Sequence, residues 1–408
     1  MTLVLCAALL TAAAGTGETK ALSADECAAL RFLDFVTAPM SAADEKTWWD
    51  IGGRQFGLFS KRYNIAFAGY AAAALGQRGD EEERKTVTRI LANCIVRYLK
   101  RDVWAYSQSK KYWGAQTWAP DPCYRENVMY TGHLLQLLAL YERFTGNDRY
   151  WKDGFDFEWK DGKKVHYDVA KLIRVTVEQM RTNKVPGVTC EPGLLFFPCN
   201  NHPHYACRLF AAMGHGDWSA DADRWETWAL DHFLSPLFGG GAINLVYHMR
   251  SGIFFPRGDP ALDGWSLLWY EAWAKDRRTA VDLWRKAAEK IDWQKFETGS
   301  DAAVKDSCID PGAVPVTVTA VFLAAAARAC DDPATAERLE RIVDTRFAVR
   351  KGGRFYLDLN REWRIGASAY RIISLAESNG SRFRNLHLNA LHLRKRQIPI
   401  RYAGERAK

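Results

Sequence analysis

Nowhere in the 408 residues do about 20 apolar residues follow one another, so no membrane-spanning helix is predicted. The nearest approach is residues 3–14, Leu-Val-Leu-Cys-Ala-Ala-Leu-Leu-Thr-Ala-Ala-Ala, followed by Gly15-Thr16-Gly17. This run has the apolar stretch and small-residue end of a secretory signal, but no Lys or Arg precedes it. Residues 1–20 therefore read as a signal or the remnant of a membrane anchor. That favours an exported or membrane-associated setting over a cytoplasmic one, with weak membrane association through the N-terminus. A compact disulfide framework is also lacking. The nine cysteines (Cys6, Cys27, Cys94, Cys123, Cys190, Cys199, Cys207, Cys308 and Cys330) are scattered, and their odd number leaves at least one free or paired between chains. No internal repeat is visible. Charge is not one-sided either: the net +8 comes from basic residues mixed with acids, apart from Arg394-Lys395-Arg396 in a basic tail over 386–408. No nucleic-acid motif accompanies that tail, so nucleic acid is not an expected partner.

What the chain does have is aromatic bulk and helical spacing. Sixteen Trp, sixteen Tyr and twenty Phe exceed ordinary core filling and suit a pocket for an apolar ligand, a sugar or a cation. Apolar residues recur at helical spacing over 21–38, 62–76, 82–101, 124–144, 167–182, 203–214, 219–233, 263–275, 278–290, 313–330, 334–347 and 367–378. Ser23 with Glu26 forms a capping-box pattern, and Gly146 and Asn379-Gly380 are helix-ending residues. The spacing predicts an all-α chain of about twelve helices, in line with a toroid of six helical hairpins. Short β stretches are expected at 242–248 and 252–256, within long loops that suit the rim of a site. No domain boundary interrupts 21–385, which reads as a single catalytic domain.

The most informative stretch is Gly187-Val188-Thr189-Cys190-Glu191-Pro192-Gly193-Leu194-Leu195-Phe196-Phe197-Pro198-Cys199-Asn200-Asn201. Two thiols stand in apolar surroundings, which keep a thiol protonated and able to act as an acid, with a second thiol as base. Two buried structural cysteines or a disulfide would leave the same pattern. Cys199-x2-His202-x-His204-x2-Cys207 also holds four zinc-capable side chains, although the spacing departs from ordinary zinc motifs and no metal is expected. His133 follows Met129 by one helical turn in an apolar run. Asp34 is a lone carboxylate in Arg31-Phe32-Leu33-Asp34-Phe35, where a charge needs a partner or a task. The next helix opens with Arg62-Tyr63, and Tyr247-His248 falls in a long loop.

Taken together, these segments resemble the linalool dehydratase/isomerase family. Cys190-Glu191-Pro192 followed by Cys199-Asn200, and Glu126-Asn127-Val128-Met129-Tyr130-x-Gly132-His133-Leu134, are the two long matches. Tyr63-x-Ile65-Ala66-Phe67, Asp34-Phe35 and Tyr247-His248-x2-Ser251-Gly252 are shorter ones. The resemblance implies an (α/α)6 barrel and a cofactor-independent hydro-lyase/isomerase. Its substrate would be an unsaturated, allylic, terpenol-like alcohol or the matching alkene, and the protein would form a homo-oligomer. It also implies a site with Asp34, His133, Cys190 and Cys199 as catalytic groups and Tyr63, Met129, Glu191 and Tyr247 against the substrate. Met40 stands where the family has a tyrosine, and the loop 105–118, with Trp113 and Trp118, is longer. The alternative is a carbohydrate-active helical toroid using Glu126 with Asp121 or Glu191 and tryptophan platforms.

Overall fold

The computed structural model describes residues 21–39, 61–104, 121–158, 162–298, 315–360 and 363–388. Residues 1–20, Met40, the loop 105–118 and the basic tail from residue 389 lie outside the described residues. Among the described residues the chain is mostly helical. The long helices are α1 (Ala24–Thr37), α2 (Lys61–Gly76), α3 (Glu81–Tyr98), α4 (Val128–Thr145), α5 (Val169–Thr182), α6 (Phe197–Met213), α7 (Ser219–His232), α8 (Pro260–Trp273), α9 (Arg277–Ala288), α10 (Val316–Ala329), α11 (Pro333–Phe347) and α12 (Arg364–Ser378). None of them is long and apolar enough to cross a membrane.

Two kinds of helix alternate. Apart from Lys61, every residue of α2 is buried, and apart from Arg328 so is every residue of α10. An apolar surface on all sides requires neighbours on all sides. The even-numbered helices supply them: α2 packs on α4, α4 on α6, α6 on α8, α8 on α10, α10 on α12, and α12 returns to α2. The odd-numbered helices are amphipathic and lie outside. In α5 the buried residues Leu172, Ile173, Thr176, Val177 and Met180 mark one face, and in α9 Ala280, Leu283, Trp284 and Ala287 do the same. At α1 the expected capping box is formed, with the Ser23 amide donating to Glu26 Oε2 at 2.8 Å and the Glu26 amide donating to Ser23 Oγ at 3.3 Å.

Two helices begin elsewhere than the periodicity indicates. The helix expected from residue 124 starts at Val128, because Glu126 (φ 56°) and Asn127 (φ 63°) are both left-handed, a conformation that a continuing helix cannot contain. The helix expected from 203 starts at Phe197, so Pro203 lies inside it. A proline there removes the amide that would bond the Cys199 carbonyl. The ring finds room because residue 132 on α4 is glycine: a Cβ on Gly132 would lie 2.9 Å from Pro203 Cδ and 3.4 Å from the Cys199 oxygen.

Three small antiparallel sheets sit in the connections. β1 (Phe155–Glu158) pairs with β2 (Lys164–Tyr167), and β6 (Ala348–Lys351) with β7 (Arg354–Leu357). The third sheet has the order β3-β4-β5, from Leu194–Leu195, Asn244–His248 and Ile253–Gly258, with Leu195 opposite Tyr247 and Tyr247 opposite Phe254. The two expected β stretches thus form a hairpin, and it anchors the segment that follows Cys190.

α8 and α10 approach closely at Gly264. A Cβ on Gly264 would lie 2.5 Å from the carbonyl carbon of Phe322 and 2.6 Å from the amide nitrogen of Leu323. Those are backbone atoms, so no rotamer change relieves the clash. Gly264→Ala is expected to destabilise the protein by about 3 kcal/mol, read as a lower denaturant midpoint in urea unfolding.

Candidate active site

Three pieces of chain converge where α2, α4 and α6 begin. The first turn of α2 brings Arg62 and Tyr63, α4 brings Met129 and His133, and the turn before β3 places Cys190 and Glu191 beside Cys199 of α6. Local hydrogen bonds explain the convergence. The Asn200 side chain accepts from the Val188 amide at 2.9 Å and donates to the Val188 carbonyl at 3.0 Å, clipping the residues before Cys190 onto α6. On the other side, the Val128 amide donates to the Thr189 carbonyl at 3.2 Å, which ties the same segment to the start of α4. The chain then reverses at Gly193 (φ 77°), with the Cys190 amide on the Leu194 carbonyl at 2.8 Å.

The two thiols meet. Cys190 is 1% exposed and Cys199 5% exposed, and the two side chains are close enough to act on one another electrostatically. Burial pushes the Cys190 thiol well above its ordinary pKa, and the neighbouring Cys199 and Glu191 add to the rise while Arg62 opposes it. Tyr63 is likewise held as the phenol by burial, with Arg62 opposing. Burial also raises the Glu191 carboxyl, again against Arg62. All seven described cysteines are free.

Aromatic rings surround the imidazole of His133. Tyr63 lies edge-on to it at 5.3 Å between centroids, Phe67 at 5.9 Å, and Trp265 stacks at 6.0 Å. His133 is fully buried, and burial, with help from His202 and Arg62, drives its pKa well below the ordinary value, so it is neutral. Met129 is buried one turn earlier on the same face of α4.

Asp34 stands apart from this group, contrary to expectation. Asp34 is on the outer side of α1, gripped at two points by Arg89 at 2.9 Å each, so its charge has found its partner at the surface. Tyr247 packs against Trp228 and Phe254, with ring centroids 5.2 and 4.8 Å away, on the inner face of the hairpin. Four residues outside the expected site set join it: Arg62, Tyr70, His202 and Trp265. Spacing could have found two of them. Arg62 and its neighbour Lys61 are the two charges of α2, and Tyr70 shares a helix face with Tyr63 and Phe67.

The four zinc-capable side chains do not converge. All lie on α6, where His202 and His204 point to opposite sides, about 160° apart. Both nitrogens of His202 are already engaged, Nδ1 with Gln136 at 2.6 Å and Nε2 with the Trp265 indole at 3.1 Å. Among the described residues no group of three or more His, Cys, Asp or Glu is placed to hold a metal ion. Of the carboxylates of the carbohydrate reading, Asp121 is engaged and Glu126 is half-buried. Asp121 is occupied by the Tyr167 hydroxyl at 2.9 Å and the Cys123 amide at 2.9 Å, and burial raises Glu126 to about 6.

The arrangement offers two neighbouring thiols, Cys190 held protonated by burial, with a neutral imidazole and a phenol in an aromatic wall. The pattern of a known family runs through the same residues. Its description is linalool dehydratase/isomerase, and it matches residues 62–362, which take in every converging residue and leave out Asp34. The match covers more than half of the chain, and the protein belongs to the linalool dehydratase/isomerase family.

Proposed function

We propose that the protein is a dehydratase/isomerase of an unsaturated alcohol, on an (α/α)6 barrel whose inner wall is the closed round of even-numbered helices. Family membership supports the reaction type. The observation that carries the reading is the buried Cys190–Cys199 contact beside Tyr63 and the neutral His133. A hydroxyl leaves readily only as water. In the proposed step a thiol gives its proton to the hydroxyl, the C–O bond breaks, and water departs with both electrons of that bond. The allylic cation left behind is delocalised and is steadied by the surrounding ring faces. The thiolate then takes a proton from the adjacent carbon, whose C–H electrons form the new double bond and restore the thiol. When water instead returns to the cation at the other end of the allylic system and gives its extra proton to the thiolate, the isomer forms and the thiol is restored. The groups named belong to this chain, and no cofactor enters the step.

The test is incubation of purified protein with a panel of allylic alcohols and matching alkenes, read by headspace gas chromatography. Interconversion of at least one pair is expected, and thiol alkylation should abolish it unless an alkenol analogue protects a cysteine. Full turnover after both thiols are labelled would rule out the thiol chemistry.

A further inference from the structure

The walls behind the site contain two hydrogen-bonded imidazoles in ring contact, which the reaction scheme does not use. Tyr70 hydroxyl lies 2.7 Å from His133 Nδ1, and the rings of His133 and His202 are 3.8 Å apart between centroids. His202 in turn contacts Gln136 and Trp265. His133 Nε2 is buried and has no hydrogen-bond partner among the described residues. We infer that Tyr70 is a positioning residue that fixes His133 as the Nε2–H tautomer, with this N–H offered to the substrate oxygen as a hydrogen-bond donor.

The tautomer follows from where protons can go. The phenol has one proton and two neighbours, His133 Nδ1 at 2.7 Å and the His133 carbonyl at 3.4 Å. If Nδ1 carried a proton, the phenol would have to accept it and turn its own proton to the far, poorly placed carbonyl. With Nδ1 bare, the phenol donates at the short distance and the remaining imidazole proton sits on Nε2. His202 is fixed with less freedom still. An indole N–H only donates, so His202 Nε2 is bare and its Nδ1–H donates to Gln136 Oε1. Two neutral imidazoles thus lie against one another, their planes tilted by 38°, in a buried wall, and a proton added to either would be a buried cation beside the other.

The chemical consequence rests on the proposed dehydration. A neutral imidazole N–H is an electrophilic partner for an oxygen that is gaining or losing charge, a role known for neutral histidines in enolising enzymes. His133 then steadies the departing oxygen and does not take the carbon proton, which leaves that duty to a thiol. Tyr70 has no contact with substrate in this scheme and acts through His133 alone.

Ring-nitrogen NMR of protein labelled with 15N-histidine tests the inference without any substrate, with His133 assigned by comparison with His133→Gln. The expected spectrum has His133 protonated at Nε2 and bare at Nδ1 throughout pH 6–8 at about 25 °C. A proton on Nδ1, or on both nitrogens, overturns the inference, and this readout stands even if Tyr70→Phe does not fold. In Tyr70→Phe the His133 signals should shift toward a mixture of tautomers, and kcat should fall about tenfold or more with little change in KM, because a preorganised donor is lost. An unchanged His133 spectrum in that variant, or an unchanged kcat, overturns it. A failed search for a substrate would count against the proposed reaction and leave the spectra to decide on Tyr70.

Discussion

Alanine at Cys190 is expected to lower turnover of an allylic alcohol by about 10²–10⁴-fold, the range for loss of a positioned acid or base. Alanine at Cys199 should do about the same, and the double variant should be scarcely worse than either, because the two thiols act as one unit. Stability should hardly change. Each substitution removes one sulfur from a buried site, which costs about 1 kcal/mol, so the variants should fold and their circular dichroism should match wild type. Serine is the sharper comparison. It keeps a donor at nearly the same place but gives up its proton far less readily than a thiol, so Cys190→Ser should be nearly as slow as Cys190→Ala. If either serine variant retained wild-type kcat, the thiols would be serving shape and not proton transfer.

Asn200→Ala should be the most damaging single change outside the reacting groups. Asn200 is fully buried and its amide satisfies both the N–H and the C=O of Val188. Its removal strands both backbone groups away from water at about 1–3 kcal/mol each, so a loss of roughly 2–6 kcal/mol is expected in denaturant unfolding. Activity should fall further than stability explains, since the clip is also what holds Cys190 against Cys199. Asn200→Asp separates the two contributions. Aspartate can still accept from the Val188 amide but cannot donate to its carbonyl, so its stability should lie between wild type and alanine. A kcat that survives Asn200→Ala in the folded fraction would mean that Cys190 is held by the Thr189–Val128 bond and the Gly193 turn alone.

Helical spacing carried most of the fold, because a residue's burial in a helical layer is written in its period. The spacing misplaced the starts of α4 and α6, where backbone conformation and not hydrophobicity decides. The left-handed pair Glu126-Asn127 looks like ordinary helix sequence, and Pro203 looks like a helix breaker until Gly132 is seen facing it. The thiols and His133 were legible as apolar-embedded reactive groups. Asp34 was misread because a carboxylate between Leu33 and Phe35 says nothing about which side of the helix it takes, and Arg89, 55 residues away, supplied its partner. Arg62 was passed over for the converse reason: adjacency to Lys61 makes it look like a solvated helix end, whereas it is 4% exposed.

The electrical balance of the chamber limits what can enter it. His133 and His202 are neutral, Cys190 and Tyr63 keep their protons, and Arg62 and Glu191 oppose one another. A phosphorylated or carboxylated guest would surrender its hydration and find no spare cation among the described residues to replace it, at a penalty of several kcal/mol. The free alcohol brings no such debt, so an alkenol should be accepted while its phosphate ester, with the same carbon skeleton, is turned away.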